Sequence, residues 1–348
     1  MTAEQDGQDQ VIGRLRQVDM LMAQGQTFAA ALNAVGASEA DYIQQRADYE
    51  DLPAAQVRRL YNMDSQGGPA IDPSAYIGAP LGGLCPVCGR EETFVDFQEN
   101  LRESGRCLNC GSANRQRQMA LMIRLCLGRP PGGDLVLPRG LRVHNTESTG
   151  AVHARLSKHP GYSFSEYWDA HYAPGETVHG IRHEDLQNLS FADNSLDLML
   201  SSDVLEHMPH PYQAHAEIFR VLRPGGRHIF TVPFQGSYDD NVRARLEHGE
   251  IAYVGEKLYH GDPIRPDEGV LVWTIFGAEM LDRLRQIGFN ALLWKFSAPK
   301  YGIVGDAVVF DARKPDGSAR YVANNVDDTA IFSRAARAFR GLVRRLKS

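Results

Sequence analysis

Between Val11 and Tyr61 the apolar residues fall at helical spacing. Ile12, Leu15, Val18 and Met22 make one stripe, which Gly25 interrupts. Thr27 offers an N-cap for a second short helix carrying Phe28, Ala31, Leu32 and Val35, and Gly36 ends it. Ser38 caps a third, with Glu39 and Asp41 in the first turn, where the helix dipole favours acids, and Tyr42 and Tyr49 beyond. Residues 1–63 therefore read as a helical module. The Gly-, Pro-, Ser- and Ala-rich stretch 64–84, without helical period, reads as a linker. From Leu141 the pattern changes. Strand-like runs at Leu141–Asn145, Tyr162–Glu166, Ile181–Asp185, Leu196–Ser201 and Arg227–Pro233 alternate with helical stretches at Val152–Ser157 and Pro211–Leu222. A helix at Ala278–Ile287 and strands at Ala291–Phe296 and Asp306–Asp311 follow. This alternation predicts an α/β fold, a doubly wound Rossmann-like sheet over 129–316, interrupted by an insertion at 235–275.

Composition narrows the class. The chain has 348 residues, about two domains' worth, with 43% hydrophobic and 23% charged positions, which excludes collagen-like, disordered and disulfide-dense proteins. No apolar run approaches the ~18 residues of a membrane span. The start MTAEQDGQDQ is acidic and polar, unlike a signal peptide. A cytoplasmic location follows as the expectation, with cysteines as thiols or metal ligands. Net charge is −6, which weighs against the whole chain clinging to nucleic acid. The end of the chain is different. In 317–348, Ile331, Phe332, Ala335, Phe339, Leu342, Val343 and Leu346 share one helical face, and six basic residues from Arg334 to Lys347 cover the rest. Such a basic amphipathic helix, 329–348, can lie on an anionic membrane surface at the inner face or dock on the protein's own acidic body.

Cys85-Pro-Val-Cys88-Gly and Cys107-Leu-Asn-Cys110-Gly are two CxxCG knuckles with 18 residues between them. The spacing suits one zinc ion held by four thiolates, Cys85, Cys88, Cys107 and Cys110, in a module spanning 85–128. Each knuckle turns two sulfurs one way, and the glycine after it permits the turn. Four thiolates leave no open position, so the zinc would be structural. Cys126 falls on the apolar stretch MALMIRLCL and reads as a core residue. A cluster of Arg102, Arg106, Arg115 and Arg117 could meet an anion, although acids from Glu91 to Glu103 dilute it. Such a ribbon can bind nucleic acid or hold two domains together.

Two resemblances bear on function. The run LRQVDMLMAQGQTFAAALNAVGASEADYIQQRADYEDL resembles the helix-turn-helix unit of insertion-sequence transposase helper proteins, which implies a DNA reader in its third helix. The charge opposes that role: five acids between Glu39 and Asp51 face Arg46 alone. Docking or self-association through 11–61 is the expectation, and nucleic acid is disfavoured. The run DLQNLSFADNSLDLMLSSDVLEHMPHPYQAHAEIFRVLRPGGRHIFTVPF, with the strand pattern over 141–312, resembles class I S-adenosylmethionine-dependent methyltransferases. That resemblance implies Glu166 on the cofactor's ribose hydroxyls, Asp185 and the Leu186 amide on its adenine, and Ser201, Ser202 and Asp203 beside the crevice. Asn145, Glu147 and Gly150 would form the first turn, which keeps one glycine where the family has several, with Asn145 and Glu147 toward the methionine amine.

Methyl transfer from a sulfonium needs alignment and dryness more than protein chemistry. A hydroxyl or amine nucleophile also sheds a proton, for which a histidine is suited. His207, one turn beyond Asp203, and His260, in the insertion, are the candidates. The leading reading is thus a methyltransferase for a small molecule, glycan or lipid-linked sugar. A nucleic-acid methyltransferase and a non-catalytic interaction protein that keeps the fold stand as alternatives.

Overall fold

The computed structural model describes residues 28–38, 73–235, 239–261 and 269–316, together with Arg14, Gln17, Val18 and Leu21. In the N-terminal module the described helix is α1 (Phe28–Ala34), with Ala31 and Leu32 buried. The third predicted helix, most of the first, residues 64–72 and the basic C-terminal segment lie outside the described residues, and with them the helix-turn-helix, membrane and self-association readings. No described helix is long and apolar enough to cross a membrane.

The cysteine segment folds as three short antiparallel strands, β1 (Leu81–Leu84), β2 (Glu91–Val95) and β3 (Arg106–Cys107), followed by α2 (Asn114–Cys126). Next come β4 (Val143–Asn145), α3 (Gly150–Leu156), β5 (Tyr162–Glu166), β6 (Thr177–Val178), β7 (Ile181–His183), β8 (Leu196–Ser202), α4 (Pro211–Val221) and β9 (Leu222–Thr231). The insertion holds three two-stranded pairings: β10 (Asn241–Val242) with β15 (Thr274–Ile275), β11 (Ala244–Glu247) with β12 (Glu250–Tyr253), and β13 (Tyr259–His260) with β14 (Val270–Leu271). Helix α5 (Glu279–Ile287) and strands β16 (Asn290–Ala298) and β17 (Ile303–Arg313) complete the order.

Eight strands make the main sheet, in the order β16-β17-β9-β8-β4-β5-β7-β6. The five from β7 to β9 run parallel; β17 is antiparallel to both its neighbours, and β6 to β7. The predicted doubly wound, Rossmann-like sheet is present. Several boundaries differ: β1 takes Leu81–Leu84 from the stretch read as linker, β17 outruns the predicted Asp306–Asp311 at both ends, and the largest change is at β9. Strand β9 starts directly after α4, so Pro224-Gly225-Gly226 lies inside it; Gly225, at φ +83°, and the register irregularity opposite Leu196–Leu198 absorb the bend.

The sheet has a core on each face. Helices α4 and α5 cover one, burying Ile218, Val221, Met280 and Leu284 with Phe230 and Phe310. On the other, Met119, Met122 and Ile123 of α2 join Cys85, Cys88, Cys107 and Phe94 to Leu198, Ile229 and Val309 of the sheet. The cysteine module and the sheet therefore share one apolar core. Cys126 is half-buried and packs against that core.

Candidate active site

In open α/β sheets ligands settle where the strand order reverses, beyond the carboxyl ends of the strands. Here the order reverses at β4, between β5 and β8. Beyond these ends lie two adjoining hollows, of about 880 Å³ and 370 Å³, which share Thr146, Glu166, Asp203, Val204, His207 and Val270 in their walls. Both fall within the size range of small-ligand sites.

Glu166, the last residue of β5, accepts hydrogen bonds on one oxygen from Ser148 N (2.8 Å) and Ser148 Oγ (2.6 Å). Asp185 and Leu186 line the smaller hollow; the Asp185 carboxylate caps its own turn by accepting from Gln187 N at 2.9 Å. Glu147 and Ser202 line the larger one. Burial pushes the Glu147 carboxyl up to about 7, against the opposing effect of the Arg115 cation. At the junction, Thr146 Oγ1 is buried and has no hydrogen-bond partner among the described residues.

Three predicted residues are absent from both walls. Asn145 is buried under the turn, its amide donating to Tyr162 Oη (2.9 Å) and Glu147 O (3.1 Å). Ser201 faces into the sheet layer, where its hydroxyl meets His228 Nε2 at 2.8 Å. Side chains alternate across a strand, so Ser201 and Ser202 cannot both face the crevice. Gly150 opens α3 at φ +89°, a left-handed backbone that favours glycine, and a Cβ there would meet only the movable end of the Gln116 side chain.

Asp203 and His207 share the larger wall with His260, which the β13–β14 pairing brings over from the insertion. Asp203 sits at φ +53° just past β8. Nη1 and Nη2 of Arg102 clasp it, and Arg115 Nε lies 3.2 Å away. Burial opposes its ionisation, but the two guanidiniums outweigh that and hold it below the usual carboxylate range. His207 Nδ1 donates to Leu271 O at 2.9 Å, and the His207 and His260 rings meet edge to face at 5.1 Å. Beneath them lies fully buried Glu206, whose carboxyl burial pushes up; that carboxylate in turn raises His260.

Glu206, Thr146, Arg102 and Arg115 are site residues that the sequence pattern did not single out for this crevice. Glu206 was next to a candidate in Asp203-Val-Leu-Glu-His207, but its inward aim depends on a three-residue 3₁₀ turn, Leu205–His207. The arginines belonged to a visible basic cluster, and only the shared core carries them to the sheet.

The four cysteine sulfurs lie within 4.8 Å of one another, with Cys85 Sγ to Cys110 Sγ at 3.7 Å. A tetrahedron of ~2.3 Å zinc–sulfur bonds has edges of about 3.8 Å, so this donor set fits the metal. The hydrogen bond with Cys110, together with burial, pushes the Cys85 thiol up to about 12; the same bond draws Cys110 down against its own burial. A dication would hold all four as thiolates. Around them two arginines are fully buried. Arg117 donates to Gly302 O and Ser112 O and lies 4.4 Å over the Phe94 ring; Arg124 donates to the carbonyls of Pro86, Pro130, Gly132 and Gly133.

Part of the chain is similar to known methyltransferases. Residues 155–230 match the family described as Methyltransferase domain. The large sheet has a Rossmann-like strand order. An uncharacterized methyltransferase of Mycobacterium marinum is 39% identical over 98 residues, and one of Mycobacterium avium 53% identical over 98 residues. Each match takes in 27% of this chain and 38% of the relative, so the chain spans well under half the length of these curated relatives. A solved S-adenosylmethionine-dependent methyltransferase from Mesorhizobium loti aligns with 58% of this chain and 99% of its own, at 16% identity and a TM-score of 0.35.

Proposed function

We propose that this chain is an S-adenosylmethionine-dependent methyltransferase acting on a small hydroxylated or amine-bearing substrate, such as a glycan or a lipid-linked sugar. One observation carries the reading. The orphaned Thr146 hydroxyl stands where two hollows meet, with a carboxylate-tipped β5 beside it at the sheet's switch point. A polar ligand spanning both hollows satisfies that hydroxyl and explains why the chain leaves it buried.

The residues present fit the cofactor. Glu166 would receive the ribose hydroxyls, Asp185 and the Leu186 amide the adenine edge, and Glu147 the amino group. When bound, the cofactor supplies a methyl group already activated on a sulfonium. The chain then has to bind, orient and keep water out. His207 uses Nδ1 on Leu271 O, its Nε2 lies 3.6 Å from Glu206 Oε1, and the His260 ring stands across from it. Both rings line the larger hollow, where a substrate hydroxyl would lose its proton as its oxygen is methylated. The cationic side chains in the wall, Arg102 and Arg115, are both engaged by Asp203 and Glu103, which argues against a nucleic-acid phosphate as their partner.

Calorimetry with S-adenosylhomocysteine tests the reading. Wild-type protein should bind it, and Glu166→Ala should weaken binding at least tenfold, because hydrogen bonds to a charged acceptor are lost. No binding at millimolar ligand would favour the non-catalytic alternative.

A further inference from the structure

We infer that Glu206, His207 and His260 bind one divalent transition-metal ion in the wall of the larger hollow, separate from the cysteine centre. Glu206 is fully buried, and neither carboxylate oxygen has a hydrogen-bond partner among the described residues. Native structures rarely leave a buried carboxylate unanswered; a cation or a proton has to be there. One of those oxygens lies 3.6 Å from His207 Nε2 and 3.7 Å from His260 Nδ1. These separations are too long for N–H···O bonds, which run to about 3.2 Å. They suit ligands around one ion: metal–nitrogen and metal–oxygen bonds of ~2.1 Å at tetrahedral to trigonal angles set donor atoms about 3.4–3.6 Å apart.

Two further features belong to a metal site. The three donor atoms all lie within 4.8 Å of one another. His207 gives its other ring nitrogen to a backbone carbonyl, Leu271 O, the contact that fixes a ligating imidazole's tautomer and aim. A hydrogen-bonded Glu–His relay would instead bring at least one histidine to contact distance, and neither is there.

Two imidazoles and one carboxylate favour zinc, iron, cobalt or manganese over calcium or magnesium. Three protein ligands leave a position open, in contrast to the closed cysteine centre. That position faces the hollow, because His207 and His260 line it. On the methyltransferase reading, the open position takes the oxygen of a substrate hydroxyl, or of two neighbouring hydroxyls, and makes that oxygen easier to deprotonate. Metal binding itself does not depend on that reading.

The test uses full-length protein with its cysteine zinc counted by metal analysis, titrated with Co²⁺. One added equivalent should bind with visible bands of nitrogen and oxygen ligation and without sulfur-to-metal charge transfer. His260→Ala, on a partly exposed loop strand, should weaken Co²⁺ at least tenfold while zinc content and melting stay unchanged. Glu206→Gln should do the same in metal affinity. No such bands, or an unaltered titration in His260→Ala, overturns the site. S-adenosylhomocysteine calorimetry on the same samples separates the two conclusions. Binding of that ligand without cobalt removes this inference alone; cobalt without that ligand keeps the ion and removes the methyltransferase reading.

Discussion

Arg102 clasps the Asp203 carboxylate with both terminal guanidinium nitrogens, Nη1 and Nη2, across 101 residues of sequence. The arginine comes from the cysteine module, and the aspartate from the tip of β8, where it is held at φ +53° with its amide donating to Thr231 O. The pair ties the four-cysteine segment to the crevice. Arg102→Ala should therefore cost about 1–3 kcal/mol, since removing one side of a partly buried pair leaves the other charge desolvated. Urea unfolding measures it. Loss of the cysteine metal should act through the same link: Cys88→Ser should release zinc and weaken S-adenosylhomocysteine binding several-fold. Unchanged ligand affinity in metal-free protein would mean that the module and the crevice are energetically independent.

The buried arginines make a second prediction. Four thiolates around a dication carry two net negative charges, and Arg117 and Arg124 bring two positive ones into the same core. Their described partners are backbone carbonyls, which satisfy hydrogen bonds without neutralising charge. Burial draws Arg117 down to about 10 while the neighbouring cysteines oppose that. Arg117→Met keeps the volume and removes the charge, so it should loosen zinc at least tenfold in a chelator competition. Equal zinc retention would assign the arginine to packing alone.

Acid should unfold the protein through its buried histidines. Burial, joined at His144 by the Arg182 cation, pushes His144 and His215 down to about 3, and His228 falls as well. An unfolded histidine titrates near 6.5. Below about 6.5 the unfolded chain takes up protons that the folded one refuses, so stability is full above that pH. It falls as pH drops toward 3, by about 1.4 kcal/mol per pH unit for each histidine. Neither His215 nitrogen has a hydrogen-bond partner among the described residues, and Phe230 packs 5.1 Å away. His215→Leu should hold its stability at neutral pH and lose less of it toward pH 5. Urea midpoints at several pH values read this directly; parallel slopes for the two proteins would show that His215 is not titrating.

How much of this was legible follows from range. Strands β8 and β9 announce themselves by short apolar runs and β4 and β5 by alternation, and Glu166 and Asp203 sit at or just past the ends of β5 and β8, so sequence order alone put them near one crevice. The two CxxCG knuckles carry their geometry in their spacing. Ser201 failed for a local reason: adjacent strand residues face opposite ways, and which one faces the crevice is set by the register with β9. Glu206 and Thr146 needed the third dimension, because a buried group without a partner is defined by what surrounds it. The Arg102–Asp203 clasp was beyond any local pattern, since the fusion of two cores creates it.

The knuckle glycines give the last prediction, because the sequence makes them equivalent and the structure does not. Gly89 and Gly111 both follow a CxxC turn, at φ +72° and φ +71°. Each donates its amide to the first cysteine of its knuckle, at 2.7 Å for Cys85 O and 2.9 Å for Cys107 O. A left-handed backbone costs an L-residue roughly 1–2 kcal/mol, so alanine is penalised at either site. Around Gly111 nothing lies within 4 Å of an added Cβ. At Gly89 the Cβ would fall 1.8 Å from Gly133 O, a backbone atom whose own amide donates back to Gly89 O at 2.9 Å. Gly133 also accepts from Arg124, so moving it disturbs a buried cation. Gly111→Ala should therefore fold with zinc and lose only the backbone penalty, and Gly111→Asn, which tolerates this conformation, should lose less still. Gly89→Ala should lower the melting temperature far more and release zinc under mild chelation. Equal melting of the two alanine variants would show that the 129–134 turn yields freely, and that the second knuckle is as constrained as the first.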